Sequence, residues 1–182
     1  MPMTTLGLSE IELGNPEGAV KYLEGVCGRS VYPRVFIDWY WRIIARCGLA
    51  HAWLESGDIK RAKVETEALF EATNSCGNVV MRALAWDASA RVAMASGDDQ
   101  FADESLSNAL ALLENGRAPI AAWRIYVTAA NLARRKREPV AAEKYRETAY
   151  KIIAFLGGSF QAGHPLKDTL LRARPLSRLL DF

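Results

Sequence analysis

ESGDIKRAKVET, residues 55–66, reads as the end of one helix, a tight turn and the start of the next. Gly57 stands where a helix finishes in the left-handed region that only glycine enters without steric cost. Asp58 follows, and its short side chain can accept a bond from a free N–H of the helix it precedes. The same punctuation returns in ELGNPEGAVKYL (12–23), ASGDDQFADESL (95–106) and RKREPVAAEKYR (135–146). Four alanines aligned by these windows, Ala19, Ala62, Ala102 and Ala142, lie 43, 40 and 40 residues apart. An interval that regular is the mark of an internal repeat. Gly14 and Gly97 take the part of Gly57, and Asn15 and Asp98 that of Asp58, so each window is the elbow of a helix hairpin.

Working outward from the elbows, Pro16, Pro33, Pro119, Pro139 and Pro165 each stand where a helix would begin and where a missing N–H costs nothing. The pattern predicts helices at about 4–13, 16–27, 34–56, 59–75, 79–96, 100–114, 119–136, 139–156 and 165–173. No segment alternates with period two over a useful length, so an all-α chain is expected. With 182 residues, half of them hydrophobic, it is long enough for one elongated helical domain with a sizeable buried face.

Composition excludes more than it assigns. Twenty-three basic against 21 acidic residues leave a net charge of +2, too little to argue for nucleic acid or an anionic membrane as partner. The three cysteines, Cys27, Cys47 and Cys76, are odd in number and sit within apolar helical patterns, so they read as reduced thiols of a cytoplasmic protein. No apolar run approaches the ~18 residues a membrane helix needs. A start of MPMTTLGLSEIELG has no basic segment ahead of an apolar core, so no leader is read there.

The windows resemble tetratricopeptide repeats, which place a large residue early in helix A, then leucine and a small residue, a glycine at the turn and small residues in helix B. In the second hairpin Leu49, Ala50, Trp53, Gly57, Ala62 and Leu69 fall on that pattern. Trp86, Ala90, Gly97, Ala102 and Ala109 do so in the third, and Tyr126, Ala129, Ala130, Ala142 and Ala149 in the fourth. The first matches through Leu6, Gly7, Gly14, Ala19, Tyr22 and Val26, with a shorter helix A. Two departures stand out: an interval of 40 rather than the usual 34, and Arg137 in place of the fourth turn glycine. A long-repeat form of this kind resembles the C-terminal arrays of bacterial signalling ATPases and transcriptional activators. The resemblance implies an α-solenoid of antiparallel helix hairpins, a right-handed superhelix, divided at about 4–30, 33–76, 77–116 and 117–156. Residues 157–182 would supply a linker, including LGGSF at 156–160, and a C-terminal capping helix. The short first helix predicts either that the chain continues a longer protein or that two copies pair through the open N-terminal end as a homodimer.

Catalysis has few parts available. There is no phosphate loop, no CxxC pair and no HExxH, and only His51 and His164 are present. Cys47 and His51, four residues apart, share a helix face, but no third group in sequence reach orients the histidine or completes a metal shell. No catalytic residue, metal ligand or cofactor is therefore expected. Trp53, Trp86 and Trp123 fall near positions that fill hairpin interiors. Phe36, Ile37, Trp39, Tyr40 and Trp41 crowd more than one face at the start of a helix, which marks Phe36, Trp39, Tyr40 and Trp41 as a candidate self-association patch.

The family holds peptides on its concave face, lined by successive A helices. Carried over, that face contains His51 and Glu55, then Asp87, Arg91 and Met94, then Arg124, Val127, Asn131, Arg134 and Arg135. Arginines aligned on one face can grip carboxylates through paired hydrogen bonds, and the bland alternative is a solvated face neutralised by nearby Asp and Glu. A chaperone-tail clamp is not expected, because Thr4, Leu8, Leu84 and Ala88 stand where lysine and amide groups would be required. The expected function is a protein-interaction scaffold holding an acidic peptide or a neighbouring domain. The alternative is a regulatory sensor domain that binds a small molecule. RNA reading is disfavoured because His51, Arg91 and Asn131, at equivalent positions, are unlike one another.

Overall fold

A computed structural model describes residues 2–28, 38–74, 77–113, 118–161 and 164–165. Among these the helices are α1 (Pro2–Glu12), α2 (Pro16–Gly28), α3 (Asp38–Glu55), α4 (Ile59–Asn74), α5 (Val79–Ser96), α6 (Asp99–Ala111), α7 (Pro119–Arg135) and α8 (Pro139–Gly158). No strand occurs among the described residues.

All four elbows share one backbone solution. Gly14, Gly57 and Gly97 have φ of 76°, 79° and 84°, and Arg137 joins them at 62°. At each, the next N–H donates to a carbonyl five residues back: Asn15 to Glu10 at 2.8 Å, and Asp58 to Trp53, Asp98 to Ala93 and Glu138 to Ala133 at 2.9 Å. That bond closes the last helical turn and satisfies a carbonyl the helix leaves open. The Oδ1 atoms of Asn15, Asp58 and Asp98 then accept from the N–H of Gly18, Arg61 and Phe101, each at 3.0 Å, which starts the second helix. The fourth elbow makes no side-chain cap, and Pro139 opens α8 with its φ already suited to a helix. A residue with a Cβ in the left-handed region costs roughly 1–2 kcal/mol, so Arg137 holds this turn against its own preference.

Small residues set how closely the hairpins stack. A Cβ on Gly7 would lie 2.5 Å from Leu23 Cγ, and one on Gly48 would lie 2.9 Å from Leu23 Cδ1 and 3.0 Å from Leu8 Cδ2. Leu23, wholly buried, is thereby gripped between α1 and α3. Further along, Ala83, Ala90, Ala102, Ala109, Ala122 and Ala129 line the interior around Leu106, Ile125 and Leu132. Trp53 packs on the first core, Trp86 meets Phe70 edge-on at 4.7 Å, and Trp123 is buried with Ala149 and Ile153, so all three tryptophans fill hairpin interiors.

Each odd-numbered helix pairs with the even one that follows, and α2, α4 and α6 rest on α3, α5 and α7. Contacts of α1 with α3, α3 with α5 and α5 with α7 complete a solenoid whose odd-numbered helices form one layer. No helix among the described residues is long and apolar enough to cross a membrane.

Three expectations need adjustment or fall out of view. Gly157 and Gly158 are the last residues of α8 rather than linker. Ile153 and Leu156 pack on Trp123 and hold that final turn in helical form against the low propensity of glycine. The start of the third helix between 34 and 37, and the capping helix beyond Pro165, lie outside the described residues.

Candidate functional site

Asp87 and Arg91 stand one helical turn apart on α5 and therefore share a face. Asp87 is wholly buried, and Arg91 Nη2 lies 2.9 Å from its Oδ2. A carboxylate out of reach of solvent has to be paired, and this pair supplies the partner. Neither oxygen of Asp87 nor the buried Nε of Arg91 has a well-directed hydrogen bond, so the attraction is chiefly between charges.

One repeat earlier, Cys47 on α3 occupies the position equivalent to Asp87. Burial pushes its thiol up to about 12; Arg91 and Arg124 pull the other way, and Asp87 adds to the rise. This is the reverse of what a nucleophilic thiolate requires, so the Cys47 and His51 spacing does not make an activated dyad. Cys27 is likewise raised by burial, to about 11, and both thiols are free.

Arg124, in the second turn of α7, has two properties that meet only in a groove. Its side chain is exposed to solvent, yet its surroundings are dense enough that burial lowers its pKa. Arg91 lowers it further as a like charge, while Glu12, Asp87 and Cys47 oppose that shift. Glu12 ends α1, Cys47 is on α3, Asp87 and Arg91 are on α5 and Arg124 is on α7. Among these groups, Asp87 and Arg91 are the pair in direct contact. Arg124 also lies over the Trp123 ring, 5.0 Å from its centroid, which fixes the side chain against its own helix.

The remaining candidate residues divide around this centre. His51 is half-buried on α3, with Nε2 3.7 Å from Glu55 Oε1. Asn131 and Arg134 follow Arg124 along α7, and Arg134 Nη2 donates to Asn131 Oδ1 at 3.3 Å. Arg135 is engaged away from the cluster: its Nε is 2.9 Å from Asp99 Oδ1, and its Nη1 donates to the Met94 carbonyl. The position of Arg135 at the last residue of α7 brings it against the α5–α6 turn, which explains the difference. Among the described residues no group of three or more His, Cys, Asp or Glu side chains is placed to hold a metal ion.

Trp39 is 47% exposed at the start of α3, whereas Tyr40 packs against Ile43 and Leu69 and Trp41 is half-buried. The three rings form an edge-to-face run, with centroids 6.1 and 5.3 Å apart. Phe36, the fourth residue of that patch, lies outside the described residues.

No family model matches the chain, and no curated protein matches it. A crystal structure of nearly identical TPR-like repeats, assigned to a kinesin light chain of Podosopora anserina, is similar over 99% of this chain and 84% of that one, with a TM-score of 0.57 and 20% identity. The fold is TPR-like. At that identity the likeness establishes the helical repeat architecture and leaves function to the residues of the site.

Sequence reasoning passed over Glu12 and treated Cys47 as a candidate nucleophile or metal ligand. The repeat itself held the signal for the first, since Glu12 precedes Glu55 by 43 residues, the same offset that separates Ala19 from Ala62.

Proposed function

We propose that the TPR-like stack is a protein-interaction module whose concave layer binds an extended acidic or carboxylate-bearing peptide, or an acidic surface of a neighbouring domain. Arg91 and Arg124 form the centre of the site, with His51 on one side and Asn131 and Arg134 on the other. The observation that carries this reading is the state of Arg124: solvent reaches it, but crowding and the neighbouring Arg91 both disfavour its charge. An anion placed against the two guanidinium groups relieves that repulsion and gains charge-assisted hydrogen bonds. Asn131 lies about two turns and Arg134 nearly three turns further along α7, about 10 and 15 Å at 1.5 Å per residue, which suits an extended chain rather than a single small anion. The 40-residue interval supports placing the module within a larger bacterial signalling ATPase or transcriptional activator of the cytoplasm, where a neighbouring domain would be the natural occupant.

Fluorescence anisotropy with fluorescein-labelled hexaglutamate and hexalysine tests the charge of the partner. Hexaglutamate should bind in low salt, weaken as salt rises, and lose affinity for an Arg124→Glu, Arg134→Glu variant that remains fully helical by circular dichroism. Equal binding of both peptides, or unchanged binding by the variant, would remove the acidic-groove reading.

A further inference from the structure

A cavity of about 90 Å³ opens between α6 and α8. Leu106 and Leu110 of α6, Ala129 and Ala133 of α7, and Ala141 and Tyr145 of α8 line it. Ala133 stands about two and a half helical turns beyond Arg124 on α7, so it faces away from the acidic-peptide groove. Asp103 and Glu138 form part of the rim, and Lys136 bridges their carboxylates, so one ammonium is shared by two acids. The repeat accounts for the room. Two intervals of 40 residues before Ala133 and Ala141 stand Trp53 and Arg61. Trp53 packs on the first core, and the Arg61 guanidinium carbon lies 4.5 Å from the centre of its ring. Arg61 Nε is also 3.4 Å from Oδ2 of Asp58, the equivalent of Glu138. The third hairpin carries Ala93 and Phe101 at the same two positions, so one ring remains there. In the fourth, the elbow carboxylate is kept while ring and arginine have both shrunk to methyl groups.

We propose that this cleft is a second docking site, which takes from a partner protein the aromatic side chain and adjacent basic residue that the second hairpin supplies to itself through Trp53 and Arg61. The ring enters over Ala133 and Ala141, beside Tyr145, which is held against Tyr126 with centroids 6.2 Å apart. The basic neighbour meets Asp103 and Glu138, which share a single lysine. Burial of the ring supplies most of the affinity, and the exposed carboxylates select what stands next to it. Because the cleft and the Arg124 groove lie on opposite sides of α7, the two sites can be filled together.

Amide chemical shifts of isotope-labelled protein, titrated with the capped tripeptide Arg-Phe-Arg, test this, with capped Arg-Ala-Arg and Gln-Phe-Gln as controls. Arg-Phe-Arg should move the amides of Ser107, Ala133, Ala141 and Tyr145 with a Kd on the order of 1 mM, as suits so small a probe. Arg-Ala-Arg should bind at least about tenfold more weakly for want of the ring, and Gln-Phe-Gln about threefold more weakly. Ala141→Phe restores the side chain of the third hairpin and should abolish the shifts, with helical circular dichroism unchanged. Asp103→Asn combined with Glu138→Gln should remove the advantage of Arg-Phe-Arg over Gln-Phe-Gln. Equal binding of either control peptide by the wild type, or shifts that survive Ala141→Phe, would overturn the proposal. Absence of shifts at these residues with peptide at about tenfold the expected Kd overturns it as well. If Ala141→Phe loses helicity, the comparison of the three peptides on the wild type decides.

Discussion

Asp87 with Arg91, midway along α5, and Asp99 with Arg135, beside the turn from α5 to α6, are both aspartate–arginine contacts at 2.9 Å. Their surroundings differ. The Asp87 side chain is 1% exposed and that of Arg91 31%, whereas those of Asp99 and Arg135 are 35% and 43% exposed. Charge at the turn edge is more open to solvent and fastens α7 to the preceding hairpin, with Lys136 reaching Asp103 in the same way. Charge in the groove is crowded, and it acts on the titration of Cys47 and of Arg124. Equal distances therefore conceal unequal consequences, because the effective dielectric decides what an ion pair is worth.

The largest test of that contrast is chemical. With its pKa at about 12, Cys47 is thiolate at pH 8 to only about one part in ten thousand, so thiol-specific labelling should be roughly a thousandfold slower in the folded protein than in urea. For Cys27, at about 11, the retardation should be nearer a hundredfold. Mass mapping of the labelled peptides would measure both, and fast labelling of native Cys47 would contradict the crowded groove. The same shifts predict a pH dependence of stability. A thiol whose folded pKa is raised above the unfolded value of 9.0 contributes its full stability below pH 9 and loses it as pH rises towards 12, so the urea midpoint should fall through that window.

Next in size, Arg91→Ala leaves the Asp87 carboxylate buried without its partner. Urea denaturation should show a loss of about 2–3 kcal/mol, below the full cost of a broken buried pair because Arg91 keeps some solvent contact. Asp87→Leu combined with Arg91→Met should lose less than the single change, and additive losses would argue that the pair is not coupled. At the turn edge, Arg137→Gly relieves the left-handed strain and should raise stability by about 1 kcal/mol, whereas Gly97→Arg at the equivalent elbow should lower it by a similar amount. The smallest effect belongs to Asp99→Asn, about 0.5 kcal/mol or less and reduced by salt.

Legibility in the sequence followed the range of the interaction. Elbows were readable because Gly57 with Asp58 and Gly97 with Asp98 carry their own local chemistry, and even Arg137 was recognisable from the interval despite the missing glycine. Asp87, Arg91 and Arg124 could be assigned to one face through the groove positions of the repeat family that the windows resemble. The burial of Asp87, the engagement of Arg135 at the turn, and the continuation of α8 through Gly157 could not, since each depends on a neighbour far away in the chain.

By itself, then, the sequence determined the all-helical class, the hairpin repeat and the location of the turns, because the φ of a glycine and the reach of an aspartate are properties of a few consecutive residues. Only the tertiary structure decided which charges are buried and paired, because close approach at Gly7 and Gly48 sets how the first hairpin lies on the second, and the packing of α5 buries Asp87 beside Arg91.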